Sequence, residues 1–525
     1  MVHASFSLRE DYWEDFTLQE EDISILYDFL LELGTPLPPD DLVVALVESR
    51  IQMEKEEIEK KRLAGGKTYM PKEQYEIGQK VVFPALDWRQ AEVMAMRPGQ
   101  NPEYEEFGVI EVQFDNGEKH EFAAEFDDHV LNEPEEEPDE HVSLSQSVLD
   151  LNKDLLIKRL ELGLKENPNF VYIAGCWFPR ALLVNVNTGH LNLAEAVLDM
   201  AGDAPLPTAE LLEQVELPSN ENLNLLEFSL DLALQEDDRF DEVGPAGKVM
   251  WYLRRLEPQD VREKPLYLRY QEIEYNRNML TPAMLDIENS IDDELTPDQD
   301  SGPVEDEVVV RLLFPHWRAG TLPLTPRLKP LFPTAYESPR IRFMLVDGDS
   351  GDKFPGWVVR EEQYVLGLEK WYHQKELMPG SIVRVRPGEQ QGEVIVHVDA
   401  QRSRRDWVRT ILVGADGGMV FATLKQVVSA AYDEHMGIMV ADTDVLDEMW
   451  KRRQKRQPPF ERVVADMARE LVKMNPQNHV HVTELYAAVN LVRRCPPGPV
   501  MALLSSRPWF VHVGDLHFRF DDSAG

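Results

Sequence analysis

Apolar positions along the chain fall three and four apart in some stretches and two apart in others. Ile23, Leu26, Leu30 and Leu33 share one helical face, and Leu42, Val43, Leu46 and Val47 continue on another after a proline-rich turn. The succession returns at Leu193, Val197 and Met200, followed by Leu211, Leu212 and Val215. The two turns are alike. Pro36-Leu-Pro-Pro-Asp-Asp-Leu42 and Pro205-Leu-Pro-Thr-Ala-Glu-Leu211 share the pattern P-L-P-x-x-[DE]-L. In each, proline ends one helix and opens the next, with Asp40 or Thr208 placed as a cap.

A second echo links the middle of the chain to its end. Phe240-Asp-Glu-Val-Gly244 and Phe510-Val-His-Val-Gly514 both read F-x-x-V-G, and an apolar strand pattern follows each, at Val249–Leu253 and Leu516–Phe520. Helical segments precede them, Asn222–Gln235 in one case and Val500–Ser506 in the other, with Val482–Leu485 opening an earlier helix. Three helices followed by a glycine-turned hairpin predict winged helices at about 192–257 and 459–522. Residues 20–62 would make a third, although no wing follows them directly.

Period-two stretches predict two β regions. Lys80–Pro84, Ala91–Met96, Phe107–Phe114 and Lys119–Phe122 read as strands of a small antiparallel barrel at 76–131, with Asp115-Asn-Gly117 as a hairpin turn. Val308–Phe314, Ile341–Val346, Ile382–Arg386 and Glu393–Val398 read as strands of a second β-rich region at 308–413, with a short helix expected at Tyr364–Trp371. Residues 141–190 read as a helical and β connector, and 420–456 as a helical segment ending in a basic run before a Pro-Pro pair. Glu133–Glu140 and Leu285–Glu307 read as solvated linkers. The first holds six acidic residues and two prolines, and the second ten acidic residues and no basic one. The expected class is α+β and multi-domain, with repeated winged helices combined with small antiparallel β-barrels.

The segment LAEAVLDMAGDAPLPTAELLEQV, followed by RFDEVGPAGKVMWYL, resembles the HARE-HTH winged helix, a module of the delta subunit of bacterial RNA polymerase, of restriction systems and of chromatin proteins. The resemblance covers about 65 of 525 residues. It implies a binding module rather than a catalyst. Arg239 is the only basic residue from Asp199 to Glu242, so the resemblance implies a copy that binds protein more readily than phosphate. Ile77–Pro84, with the later VIEVQFDNG, resembles Tudor/KOW-type barrels and loosely the polymerase-binding domain of the CarD family. The order of strands and helix at 308–410 is similar to the DNA-binding pseudobarrels of plant transcription factors and some restriction enzymes.

Charge changes this picture most. The chain carries 54 Lys and Arg against 95 Asp and Glu, a net of −41. All of the excess lies before residue 308, and the remainder is mildly basic. A uniformly acidic chain would repel nucleic acid, but an acidic half joined to a basic half allows the basic half to approach it. The plainer reading is an acidic surface kept for solubility. Cys176 and Cys495 are the only cysteines, which excludes a disulfide framework and makes a reducing cytoplasm the expected compartment. The acidic N-terminal stretch does not read as a signal peptide, and no run of 18 apolar residues predicts a membrane span.

No catalytic constellation survives its context, so an enzyme is not expected. Gly65-Gly-Lys-Thr68 ends like a P-loop, but Lys61 stands where the earlier glycine belongs. His479, His481, Cys495, His512 and His517 cluster in sequence, yet their spacing matches no familiar zinc site; no metal and no cofactor are expected. The binding candidates are basic and aromatic. Arg402, Arg404, Arg405 and Arg409 surround Trp407, while Lys451, Arg452, Arg453, Lys455 and Arg456 form a run. Arg493 and Arg494 precede the last predicted helix, where a groove-reading helix would begin. Guanidinium groups bridge phosphates, and an exposed indole can stack on an unpaired base. The competing reading is a solvated strand edge for the first group and an internal partner of the acidic segments for the second.

Two hypotheses follow. One is a DNA-associated, transcription-type regulator whose residues 308–525 contact DNA and whose acidic half contacts a protein such as RNA polymerase. The other is an acidic protein-interaction scaffold or DNA mimic without direct DNA contact. If Arg493, Arg494, Arg507 and Arg519 share one exposed face, the first gains; if they are scattered or paired with acids, the second does.

Overall fold

The computed structural model describes residues 13, 16–63, 66–83, 86, 89–100, 107–114, 117–127, 129–132, 140–217, 222–297, 305–336, 338–390, 392–414, 418–455 and 457–521, with backbone only at 54–63, 130, 140–144 and 400–403. The expected turn residues Asp115 and Asn116, most of the acidic stretch Glu133–Glu140, and Arg456 lie outside the described residues. The architecture is α+β, with several separate sheets. The chain forms two compact units, residues 1–185 with 220–228 and residues 186–219 with 229–525.

The first unit opens with α1 (Glu20–Leu33) and α2 (Pro39–Leu63). Gly34, at φ 61°, ends α1 and returns its N–H to the Leu30 carbonyl. Asp22 is buried and takes the Arg50 guanidinium of α2 at 2.5 Å, tying the two helices together. A curled five-stranded sheet follows in order β1 (Lys67–Thr68), β2 (Lys80–Phe83), β3 (Arg89–Pro98), β4 (Gly108–Phe114) and β5 (Lys119–Ala124). Its core is aromatic. Tyr69 packs on Tyr75, Phe83 and Phe122, and its hydroxyl donates to the Ala123 carbonyl at 2.6 Å, drawing the two ends of the sheet together. Then come α3 (Glu140–Lys165) and a hairpin of β6 (Phe170–Ile173) with β7 (Cys176–Pro179).

Residues 141–190 hold a helix and a strand pair, and this pair joins the segment at 20–62. Leu37, in the first P-L-P turn, makes an antiparallel bridge to Trp177 of β7. The backbone bonds are reciprocal, 3.2 Å from the Leu37 N–H and 2.8 Å from the Trp177 N–H. The strand pair that completes the early helices therefore stands more than a hundred residues downstream, with the curled sheet inserted between α2 and α3.

From Val186 the chain continues with α4 (Thr188–Ala201), β8 (Leu206–Pro207), α5 (Thr208–Leu212), α6 (Leu223–Gln235), whose residues up to Phe228 belong to the first unit, β9 (Phe240–Glu242) and β10 (Met250–Leu253). It ends with α12 (Phe460–Val472), β21 (His479–His481), α13 (Val482–Asn490), α14 (Pro497–Ser506), β22 (Phe510–Gly514) and β23 (His517–Phe520). The strand orders are β8-β10-β9 and β21-β23-β22, so in both the early short strand pairs with the last one. Leu206 faces Trp251 and Val480 faces Phe518, just as Leu37 faces Trp177. All three aromatic rings are buried. Helix, short strand, two helices and a hairpin thus recur three times among the described residues, each keyed by one apolar residue set against one aromatic.

Between these modules run α7 (Gln259–Arg262) and α8 (Pro282–Ile291). A seven-stranded sheet comes next, built from β11 (Val308–Arg311), β12 (Thr321–Pro323), β13 (Arg340–Asp347), β14 (Lys353–Val359), β15 (Tyr364–Leu366), β16 (Ile382–Pro387) and β17 (Glu393–Val398), in order β11-β16-β17-β13-β14-β15-β12. Short helices α9 (Phe314–Ala319) and α10 (Glu369–Gln374) pack on each other beside it. The helix expected from Tyr364 begins only at Glu369. Tyr364, Val365 and Leu366 pair with β12 and β14, and Gly367 at φ 124° approaches the Pro355 carbonyl too closely for a side chain.

Residues 420–430 are also not helical. β18 (Ala400–Val413) and β19 (Met419–Ala430) form one long hairpin, so the domain boundary expected at residue 413 falls at its turn. The chain then passes through β20 (Met439–Val440) and α11 (Thr443–Lys455).

The first part of the segment expected as an acidic linker, residues 285–296, packs into the core, while residues 298–304 lie outside the described residues. α8 is capped by the Thr281 hydroxyl, and Met284 and Ile291 join the hydrophobic cluster of the C-terminal module. Glu288, Asp292 and Asp293 are buried. Composition suggested a solvated stretch because it cannot show partners that lie elsewhere in the chain. Among the described residues, no helix is long and apolar enough to cross a membrane.

Candidate nucleic-acid interface

Strand pairing puts Arg405 opposite Val427, Trp407 opposite Lys425 and Arg409 opposite Thr423, so these residues share one face of the β18–β19 hairpin. The Trp407 side chain is 64% exposed, with the Lys425 ammonium 6.0 Å from its ring centroid. Arg405 and Val427 are exposed beside it. Arg404 lies on the opposite face and pairs with Asp406 at 3.0 Å. Arg409 is committed inward, donating to the His435 carbonyl at 2.9 Å and to Glu484 at 2.7 Å. It anchors the hairpin to α13 rather than presenting charge to solvent. The side chain of Arg402 lies outside the described residues. From this group, Arg405 and Trp407 remain as free contacts, joined by Lys425, which the sequence reading omitted.

The run on α11 divides by helical face. Leu446 and Trp450 are buried, and the Trp450 indole donates to the Leu491 carbonyl at 2.9 Å. Lys451 pairs with Glu448 at 2.9 Å on the surface, and Arg452 and Lys455 are exposed. Arg453 turns toward the core and is half-buried; burial, and the neighbouring Arg493, work against its charge, which Asp466 partly supports.

Arg493 and Arg494 do not open a groove-reading helix. Arg493 is half-buried, lies over the Phe460 ring at 5.3 Å and donates to the Pro458 carbonyl at 3.0 Å. Arg494 is 1% exposed. Its guanidinium grips Asp293 through two bonds of 2.8 Å and Glu294 through one of 2.7 Å. Tyr486 also donates its hydroxyl to Asp293, and His316 meets Glu294 at 3.1 Å. Burial works to raise the Glu294 carboxyl, but Arg494 and His316 outweigh it and hold the group well below the usual carboxylate range. The terminal nitrogens of Arg494 therefore have no hydrogen left for a phosphate, and its remaining donor, Nε, is buried. Asp293 and Glu294 of the segment expected as a linker thus occupy Arg494 inside the core, whereas Lys451 of the α11 run pairs with Glu448 of its own helix.

The following helix, α14, carries no charged residue, and Pro497–Ala502 and Leu504 are buried. Arg507 pairs with Glu461 at 2.7 Å, while Arg519 is exposed on β23. The four arginines do not form one exposed face.

The expected histidine cluster is real but rearranged. His481 stacks on His435 with ring centroids 4.3 Å apart, and His517 lies 4.9 Å from His481 and 4.7 Å from His479. His435 comes from the loop after β19 and was not anticipated, since nothing in its surroundings marks it. His512 packs on Phe518 instead, and Cys495 is buried against Asn490. Among the described residues, no group of three or more His, Cys, Asp or Glu is placed to hold a metal ion. Burial, with His435 and His517 alongside, pushes His481 down to about 4. Its ring nitrogen accepts from the Thr483 N–H and caps α13.

No family model, curated protein or solved structure matches this chain. Function is therefore argued from the geometry alone.

Proposed function

We propose that this chain is a non-enzymatic protein-interaction scaffold, built from three winged helices combined with small β-barrels. What supports the winged-helix assignment is the threefold recurrence of one element order and one strand pairing. The observation that carries the scaffold reading is α14. In winged helices that read DNA, the last helix enters the major groove and brings donors to base edges. Here it is uncharged and largely buried, and Arg494 just before it is committed to buried carboxylates. The corresponding helix of the middle module, α6, carries two acidic residues and no basic one. The acidic N-terminal half suits a partner with a basic surface, of which an RNA polymerase subunit would be one kind.

A selection from a pool of randomised duplexes, using the full chain, tests this reading. Recovered sequences should show no common motif. Enrichment of a defined motif would establish base readout and overturn the scaffold.

A second reading is favoured by one observation. Arg405, Trp407 and Lys425 share an exposed face of a long hairpin. Such a ribbon suits a DNA-associated transcription-type regulator that contacts phosphates and unpaired bases without a recognition helix.

A further inference from the structure

One cleft in the second unit is lined by several cations and, among the described residues, by no acidic side chain. Its walls are α11, the segment around Leu266–Gln271 and the turn after α13. Arg269, Arg453, Lys455, Arg493 and Arg494 all line it. Its volume is about 370 Å³, within the range of small-molecule sites. Leu266, Trp450 and Val492 supply an apolar wall.

The polar groups in this cleft are incompletely satisfied. One terminal nitrogen of Arg453 is buried without a partner, as are Nε of Arg494 and the side-chain oxygen of Gln457. Buried donors in such a state are unfavourable, more so when charged, so a site that keeps them gains when an acceptor arrives. The principal carboxylates nearby are engaged elsewhere. Asp293 and Glu294 bind the terminal nitrogens of Arg494 from its other side, and Asp466 pairs with Arg469 at 2.8 Å. Arg453 and Arg493 are thus two like charges, half removed from water, held near each other with little compensation. A compact anion with several acceptor oxygens relieves that repulsion and satisfies the free nitrogens together.

We propose that this cleft is a binding site for the phosphoryl group of a small phosphorylated molecule. The phosphoryl oxygens accept from Arg453 and Arg493, Arg269 and Lys455 close the mouth, and a P–OH donates to Gln457. The apolar body rests on Leu266 and Val492. This site is independent of the scaffold reading, which concerns α14 and the protein-binding surfaces.

The test uses the full chain and calorimetric titration with inorganic phosphate, then with phenyl phosphate, against chloride at matched ionic strength. Both phosphates should bind saturably, and phenyl phosphate should bind more tightly because it reaches the apolar wall. Arg453→Gln should weaken phosphate at least tenfold, while Arg462→Gln, outside the cleft, should leave it unchanged. Should Arg453→Gln fail to fold, the exposed Arg269→Gln serves in its place, with an expected loss of about threefold. Phosphate binding no better than chloride, or equal binding by wild type and both cleft variants, would overturn the site. Displacement of phenyl phosphate by a short DNA duplex would assign the anion to a nucleic-acid backbone and equally overturn the small-molecule assignment.

Discussion

Replacing Arg494 by Met separates a structural arginine from a DNA-binding one. The substitution keeps much of the side-chain volume but strands Asp293 and Glu294, which lose three bonds of 2.7–2.8 Å in a site closed to water. Tyr486 and His316 remain as partners, so the carboxylates are not wholly orphaned. Breaking a buried pair from one side costs about 3–5 kcal/mol. At roughly 2–4 °C per kcal/mol for a large domain, the unfolding midpoint should fall by about 6 °C or more. Thermal unfolding followed by circular dichroism measures the shift, and urea unfolding measures the free energy. Adding Asp293→Asn removes one stranded charge and should recover part of the loss, a coupling that a surface arginine would not show. A destabilisation below about 1 kcal/mol, or an unchanged midpoint with weakened duplex binding, would refute the assignment of Arg494 to the core.

Three further outcomes are expected. Asp231 is buried and accepts from the Thr208 hydroxyl at 2.5 Å and the Trp251 indole at 2.7 Å, so Asp231→Ala should cost about 1–3 kcal/mol by leaving the Thr208 hydroxyl without its acceptor and the indole with only Thr208 Oγ1 at 3.2 Å, as read by denaturant unfolding. His481 is held at about 4 against an ordinary 6.5, facing His435, His517, Glu484 and Asp433. Because the unfolded chain binds the proton first, stability should fall as pH drops from about 6.5 toward 4 and level off below that. The displacement amounts to about 3 kcal/mol at most, and solvent screening of this half-buried ring reduces it to about 1–2 kcal/mol. His481→Asn, which keeps a capping side chain, should flatten the pH dependence; an unchanged curve would remove His481 as its source. Gly367→Ala should destabilise the seven-stranded sheet, because the new methyl would lie 2.5 Å from the Pro355 carbonyl; an unfolding midpoint equal to wild type would contradict that packing.

Local repetition was legible in the sequence wherever its parts were contiguous. The P-L-P turns and the F-x-x-V-G pair mark short strands that the structure sets in equivalent places, at Leu206 and Phe240 in one module and Phe510 in another. The partner of the first P-L-P turn escaped notice because an inserted sheet carries Trp177 far from Leu37. Carboxylate-rich stretches misled for a different reason. Leu285–Glu307 resembles a linker by composition, yet Asp293 and Glu294 are bought into the core by Arg494, some two hundred residues away. Among the candidate contacts, residue type located Trp407 and Arg405 correctly on an exposed face. It could not distinguish them from Arg409, whose commitment to Glu484 depends on the hairpin's register against α13. The basic cleft was half visible, since Arg453 and Arg493 were named, but Arg269 and the convergence of all three are tertiary facts.

The central claim is that the three modules proposed as winged helices do not read DNA. The salt dependence of duplex affinity, measured by fluorescence anisotropy on the full chain and on an Arg405→Gln/Trp407→Ala variant, tests it most directly. Each phosphate contact contributes a log–log slope of about −0.9. The scaffold account predicts binding no tighter than the non-specific range of roughly 10⁻⁴–10⁻⁶ M at physiological salt, with a slope of two contacts or fewer. What little binding occurs should vanish in the variant, since it would come from the hairpin. Nanomolar affinity with a slope of six or more contacts, retained in the variant, would contradict the account.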